Sequence, residues 1–134
     1  MSLTYMLDTN ICIYLMNNRS PRVVEKIKQH RDSGICISAI TLAELEYGAS
    51  KSLHYERNVI AIQKMLSILD VLTFDEAAAS CYGITRTRLE QKGQIIGPLD
   101  MLIAGHAMSR KLILITNNIK EFERVENLTL ENWV

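Results

Sequence analysis

Five acidic or amide side chains stand where a short chain of alternating strands and helices could assemble a hydrolytic site. They are Asp8, Glu44, Asp100, Asn118 and Glu121. Ligand sites in open α/β sheets form at the carboxyl ends of the strands, and these residues follow predicted strands or lie in the helices after them. Carboxylates that converge raise one another's pKa values, and a divalent cation removes that repulsion. Oxygen ligands favour Mg²⁺ or Mn²⁺, ions that support phosphodiester hydrolysis.

The same residues also have purely structural explanations. Asp8 could cap the first helix, and Asp100 could stabilise a helix N-terminus by its charge. The spacing of a capping box, in which a hydroxyl or amide residue is followed three positions later by a carboxylate, occurs at 41–44 and again at 118–121. Each residue taken alone is better explained by structure, so the functional hypothesis depends on their conjunction.

The elements that would position these side chains are short apolar strands alternating with helices. We predict strands at 3–7, 35–38, 71–74, 112–115 and 128–130. Among the helices, we predict one opened by Pro21 and others over 41–49, 55–69, 75–92 and 98–110. This alternation indicates an α/β fold in which a mostly parallel sheet is covered by helices on both faces.

Bulk properties set the class of protein more than its function. The 134 residues suffice for one domain, and 48% are apolar. A formal net charge of zero gives no overall basic field for a polyanion, so any nucleic-acid site must be local. The start MSLTYMLDTN lacks the basic region of a signal peptide, and no apolar run is long enough for a membrane span. With three cysteines and no C-x-x-C motif, we expect reduced, buried thiols and a cytoplasmic protein.

Four motifs occur in a characteristic order. They are LDTN near the start, LAELEYG in the middle, then GPLDMLIAGHA and TNNIKEF. By this set the sequence resembles the PIN-domain ribonucleases and, among them, the VapC-type toxins of bacterial toxin–antitoxin pairs. The resemblance implies a Rossmann-like α/β/α sandwich, with residues 1–134 forming a single PIN domain.

The resemblance also implies roles for individual residues. Asp8 and Asp100 would be direct ligands of Mg²⁺ or Mn²⁺, and Glu44 would orient or deprotonate the attacking water. Many family members have aspartate where this chain has Asn118, which adds no negative charge. Glu121 is a second candidate for that fourth acidic position, and the sequence leaves the choice between the two open.

The implied activity is endoribonucleolytic cleavage of tRNA or other structured RNA, which would inhibit translation and growth. The implied partners are a cognate VapB-type antitoxin and a second copy of the chain in a homodimer. DNA would be bound only through the antitoxin, and no membrane is involved. We expect the helix bearing Val59, Ile62, Leu66 and Leu69, with the helix before it, to leave apolar surface for these contacts. A DNA nuclease and a catalytically inert binding module are the alternative functions.

Overall fold

A computed structural model describes residues 2–134 and places five parallel strands between two layers of helices. The strands are β1 (Tyr5–Leu7), β2 (Ile35–Ser38), β3 (Asp70–Leu72), β4 (Ile113–Ile115) and β5 (Leu130–Glu131). The helices are α1 (Thr9–Met16), α2 (Pro21–His30), α3 (Ala39–Ser50), α4 (Tyr55–Leu66), α5 (Glu76–Gln91), α6 (Pro98–Ser109) and α7 (Ile119–Phe122). The predicted α/β/α sandwich is therefore confirmed.

The strand order β3-β2-β1-β4-β5 fixes where a site can form. The chain winds outward from β1 in one direction through β2 and β3, and in the other through β4 and β5. The direction changes between β1 and β4, which pair in parallel with Leu7 opposite Ile115. In sheets of this kind the crevice outside the carboxyl ends of the two central strands is the usual site of ligand binding.

Alternation of side chains along the strands divides the core between the two faces of the sheet. Leu7, Ile37 and Ile115 pack on one face with residues of α1, α2, α3 and α4. Met6, Cys36 and Leu114 pack on the other with residues of α5, α6 and α7. Because both faces are covered, the central strands consist of consecutive apolar residues.

Several predicted boundaries differ from the structure. Helix α3 begins at Ala39 rather than residue 41, and α4 ends at Leu66 rather than residue 69. Strand β3 begins at Asp70 because that residue already pairs with Cys36 of β2. All three cysteines are free thiols. Cys12 and Cys36 are buried as predicted, whereas Cys81 is only half-buried, so the prediction of a buried thiol is wrong there. Within residues 2–134, no helix combines the length and apolar character needed to cross a bilayer.

Candidate active site

Asp8 lies directly after β1 at the central crevice. Its backbone N–H donates to the carbonyl of Ile115 at the end of β4 (3.0 Å), and its Oδ1 accepts from the N–H of Ile11 in α1 (2.8 Å). The predicted capping role is therefore present. Burial raises the pKa of Asp8 to about 6, assisted by the charge of Glu44 and opposed by hydrogen bonds from Thr116 and Ile11. Asp8 therefore caps α1, and its burial also makes the ionised form of its carboxyl group less favourable than in water.

Glu44 projects from α3 toward α1. Its Oε1 accepts a hydrogen bond from the hydroxyl of Thr9 at 2.7 Å. The predicted capping box at 41–44 is wrong, because α3 begins at Ala39 and its cap is Ser38, whose Oγ accepts from the N–H of Ile40. With the first turn capped by Ser38, the Glu44 carboxylate lies one turn further along and is held by Thr9 instead of by its own helix.

Asp100, in the first turn of α6, is paired with Glu121 of α7. Burial raises the pKa of Asp100 to about 7, with further contributions from its hydrogen bond to Glu121 and from the charges of Glu121, Glu44 and Asp8. Burial also acts to raise the pKa of Glu121, but hydrogen bonds from Gly97, Asp100 and Asn118 outweigh it and leave that pKa below its ordinary value. The two shifts run in opposite directions, so Asp100 is the acid of this pair that keeps a proton to higher pH.

Glu121 is fixed by hydrogen bonds from two directions. Its Oε1 accepts from the backbone N–H of Gly97 (2.9 Å), and its Oε2 accepts from Nδ2 of Asn118 (2.5 Å). The second predicted capping box, at 118–121, is also wrong, because the Asn118 side chain makes no capping hydrogen bond to the backbone of α7. Asn118 instead donates to the acid three residues later.

The sequence interpretation missed one contributor to this arrangement, Gly97. A Cβ at this position would lie 3.2 Å from Oδ2 of Asp100, so the backbone here approaches the carboxyl pair closely. Two signals were present in the sequence: this glycine begins the GPLDMLIAGHA motif, and it directly precedes Pro98 at the start of α6. The backbone N–H that holds Glu121 has no signal in the sequence at all.

The carboxyl groups of Asp8, Glu44, Asp100 and Glu121 thus act on one another at one edge of the sheet. Among residues 2–134, however, no three histidine, cysteine or carboxylate side chains are already arranged so that they could hold a metal ion. The donor chemistry nevertheless fits a divalent cation. Every donor is an oxygen, and two acids, Asp8 and Asp100, have pKa values raised by the burial and mutual repulsion that a cation would offset.

An open groove of about 700 Å³ borders this cluster. Thr9 and Glu44 form part of its wall, and Ile13, Tyr47 and Leu99 contribute apolar surface. A polymer can therefore reach Glu44 from solvent. Among the acids of the cluster, Glu44 is the one that lines this groove.

Two aromatic side chains outside the group formed by Asp8, Glu44, Asp100 and Glu121 are fully buried. His106 of α6 is fully buried and its Nδ1 lies 2.8 Å from the Oγ of Ser38. Trp133 is also buried, stacks on His30 and donates from Nε1 to Glu131 at 2.8 Å. Trp133 anchors the C-terminal segment.

Comparison with known proteins identifies the family. A PIN domain is recognised over residues 5–128. The chain is 48% identical over 131 residues to the tRNA(fMet)-specific endonuclease VapC of Shigella flexneri, covering 98% of each protein. It is also 48% identical over 130 residues to ribonuclease VapC2 of Rickettsia felis, covering 96% of this chain and 97% of that protein.

Solved structures agree with the sequence relatives. The crystal structure of VapBC2 from Rickettsia felis bound to a promoter DNA fragment matches with a TM-score of 0.94 and 46% identity, over 98% of this chain and 100% of the other. DNA-bound VapBC from Salmonella typhimurium matches with a TM-score of 0.94 and 45% identity, over 98% and 99% of the two chains. The chain belongs to the PIN-domain family, among its VapC-type ribonucleases.

Proposed function

We propose that this chain is a Mg²⁺-dependent endoribonuclease and the toxin of a VapBC-type toxin–antitoxin pair. The observation that carries the proposal is the cluster of buried or half-buried, mutually repelling carboxyl groups near the carboxyl ends of β1 and β4, in a chain of this family. The catalytic unit is the single domain of residues 1–134. Its activity would inhibit translation and growth from within the cytoplasm.

Asp8 and Asp100 are the proposed ligands of Mg²⁺, with Mn²⁺ as a substitute. Both have raised pKa values, so both gain most from a nearby positive charge. A bound divalent ion supplies two effects at such a site, a lower pKa for its water and compensation of charge on a phosphoryl oxygen. Because the pKa of Asp100 is raised to about 7, the fraction of Asp100 that is protonated near neutral pH would have to lose its proton before binding the ion.

Glu44 is the proposed group that orients the attacking water or accepts its proton. The Thr9 hydroxyl holds one carboxylate oxygen at 2.7 Å, which leaves the other free to accept. A general base needs this combination of fixed orientation and a vacant acceptor. Thr9 is thus a positioning residue for Glu44.

Glu121, and not Asn118, is the proposed fourth acid of the site. Glu121 is paired with Asp100 and keeps a pKa below its ordinary value, so it contributes negative charge next to a proposed ligand. The Asn118 side chain is committed as a donor to Glu121. Asn118 therefore supports the site by holding Glu121 in place.

The substrate we propose is tRNA, and the partner a VapB-type antitoxin. One relative is named as a tRNA(fMet)-specific endonuclease, and two matching structures are VapBC complexes with DNA. We propose that DNA associates with this chain only through the antitoxin, because the matching structures that contain DNA hold VapB together with VapC. Uncovered apolar side chains on α3 and α4 support a homodimer and an antitoxin contact.

The test is a Mg²⁺ titration of purified protein with unfractionated tRNA and, in parallel, single-stranded DNA of similar length. We expect metal-dependent cleavage of the tRNA, none in chelator, and little cleavage of the DNA. Glu44→Gln should bind tRNA normally and cleave it at least about 100-fold more slowly, since a general base contributes roughly 10²–10⁴-fold. Binding without cleavage by the wild type would favour the inert module, and preferential DNA cleavage would favour the DNA nuclease.

A further inference from the structure

His106 is a buried polar side chain that the proposed chemistry does not use. Its ring is fully buried in α6 and packs edge-to-face on Phe74, with ring centroids 5.3 Å apart. Its Nε2 has no hydrogen-bond partner in the described part of the chain. Burying an imidazole with one nitrogen unsatisfied costs free energy, so an apolar side chain would serve packing alone better.

The partner of Nδ1 is what makes the residue informative. Ser38 is the last residue of β2 and the cap of α3, and its Oγ already accepts the N–H of Ile40 at 3.0 Å. Its hydroxyl proton is then free to be donated to Nδ1 of His106 at 2.8 Å. Burial lowers the pKa of His106, which favours the neutral ring, in which Nδ1 can accept that proton.

The hydrogen bond joins the two helices that carry proposed site residues. Asp100 lies at the start of α6, and Glu44 lies on α3, which starts directly after Ser38. Within residues 2–134, no other side-chain hydrogen bond connects α6 to β2 or α3. Their remaining contacts involve apolar residues such as Ile40 and Ile103, which hold the elements together without a strong directional preference.

We propose that His106 is a positioning residue that acts through Ser38 to fix α3, and with it Glu44, relative to Asp100. This inference rests on the proposed function of those two acids. A displacement of about 1 Å at reacting groups can slow a reaction roughly 100-fold, so one directional bond between these helices is sufficient to affect the rate.

The test compares two substitutions, each of which replaces one of the two ring nitrogens of His106 with an amide group. His106→Asn places an amide near the position of Nδ1, and His106→Gln places one near Nε2. Each is assayed for single-turnover cleavage of unfractionated tRNA with Mg²⁺ at saturating protein, and for tRNA binding in a separate measurement. We expect His106→Gln to lower the cleavage rate by about 10- to 100-fold with binding changed less than about twofold, and His106→Asn to recover most of the rate. His54→Asn, at an exposed histidine, is the control and should leave both unchanged.

A double-substitution cycle tests whether the effect passes through Ser38. If it does, Ser38→Ala combined with His106→Gln should be no slower than the slower single variant, because both remove the same interaction. The proposal would be overturned if the rate losses of the two single variants multiplied in the double variant. It would also be overturned if His106→Gln cleaved tRNA at the wild-type rate, or if it lost tRNA binding as much as cleavage rate.

Hydrogen exchange separates failure of this inference from failure of the proposed function. His106→Gln should speed exchange of the amides at the start of α3, beginning with Ile40, while His54→Asn should not. If the wild type cleaves no RNA, the proposed function fails, and this exchange result alone decides whether His106 fixes α3. Unchanged exchange at the start of α3 overturns the inference whatever the activity.

Discussion

At the scale of single residues, the central feature is the pairing of the Asp100 and Glu121 carboxyl groups. Withdrawal from water and the negative charges around it raise the pKa of Asp100 to about 7. The acid thus stays protonated under conditions in which an exposed aspartate is ionised. A cation bound next to Asp100 would favour the ionised carboxylate and so lower this raised pKa.

The raised pKa values predict how stability depends on pH and metal. Asp8 and Asp100 have folded-state pKa values of about 6 and about 7 against an ordinary 3.8, so the metal-free folded state binds more protons than the unfolded chain between about pH 4 and 7. The stability contributed by these groups is present below about pH 4 and is lost as the pH rises through their folded pKa values. Melting curves in chelator should therefore show this loss, and Mg²⁺ should raise the Tm more at about pH 8 than at about pH 5. An equal effect of Mg²⁺ at both pH values would contradict this account.

For these residues, the sequence predicted one helix cap correctly and two capping boxes wrongly, and the difference has a physical reason. The capping of α1 by Asp8 was predictable because it depends on contacts three residues apart. Both capping boxes were wrong because groups distant in sequence hold the two acids, the Thr9 hydroxyl for Glu44 and the backbone N–H of Gly97 for Glu121. Such contacts join distant segments, so local spacing carries no information about them.

At the scale of elements, α5 and α6 pack unusually closely where they cross. A Cβ on Gly105 of α6 would lie 2.8 Å from the backbone of Tyr82 in α5. Glycine is thus required here for close approach and not for a special backbone conformation. The contact supports the helix that carries Asp100.

Gly105→Ala should therefore destabilise the protein by about 1–3 kcal/mol, because an added methyl group forces the two helices apart. The matched control is Gly83→Ala on α5, where an added Cβ meets nothing within 4 Å. That change should stabilise by roughly 0.5–1 kcal/mol, since alanine loses less entropy in a helix. Urea denaturation measures both. Equal effects of the two substitutions would show that the crossing is less tightly packed than described.

The order and type of the elements were predictable, and their ends were not. Apolar runs and helical periodicity depend on burial of one face, which the fold preserves. The ends depend on partners, as where pairing with Cys36 brings Asp70 into β3. The order of strands in the sheet follows from neither signal, and it is this order that brings the ends of β1 and β4 together.

At the scale of the whole molecule, apolar side chains remain uncovered around α3 and α4. The four residues by which the sequence analysis identified this helix, Val59, Ile62, Leu66 and Leu69, lie in or against the core. The uncovered surface comes from their neighbours. These are Tyr47, Leu53, Tyr55, Ile60 and Ile68, of which Leu53 is 99% exposed. Surface of this kind favours association with another protein chain.

Ile60→Lys should weaken self-association or antitoxin binding at least about tenfold while leaving tRNA cleavage by the free chain unchanged. A charge placed in an apolar contact must lose its water without gaining a partner. Ile84→Lys on α5 is the control, since Ile84 is 54% exposed and Ile60 52%. Sedimentation of the free chain and titration with the antitoxin measure the two contacts. Weakening by Ile84→Lys alone would place the interface on α5 instead.

The most direct test of the account is Asp100→Asn, measured for cleavage of unfractionated tRNA and for thermal melting with and without Mg²⁺. The asparagine amide can still donate to Glu121, so the fold should be retained and, without metal, be as stable as the wild type or slightly more stable. It cannot supply the negative charge proposed to hold the ion, so cleavage should be abolished and the rise in Tm with Mg²⁺ should shrink. A folded Asp100→Asn variant that cleaves tRNA at the wild-type rate would contradict the proposed site.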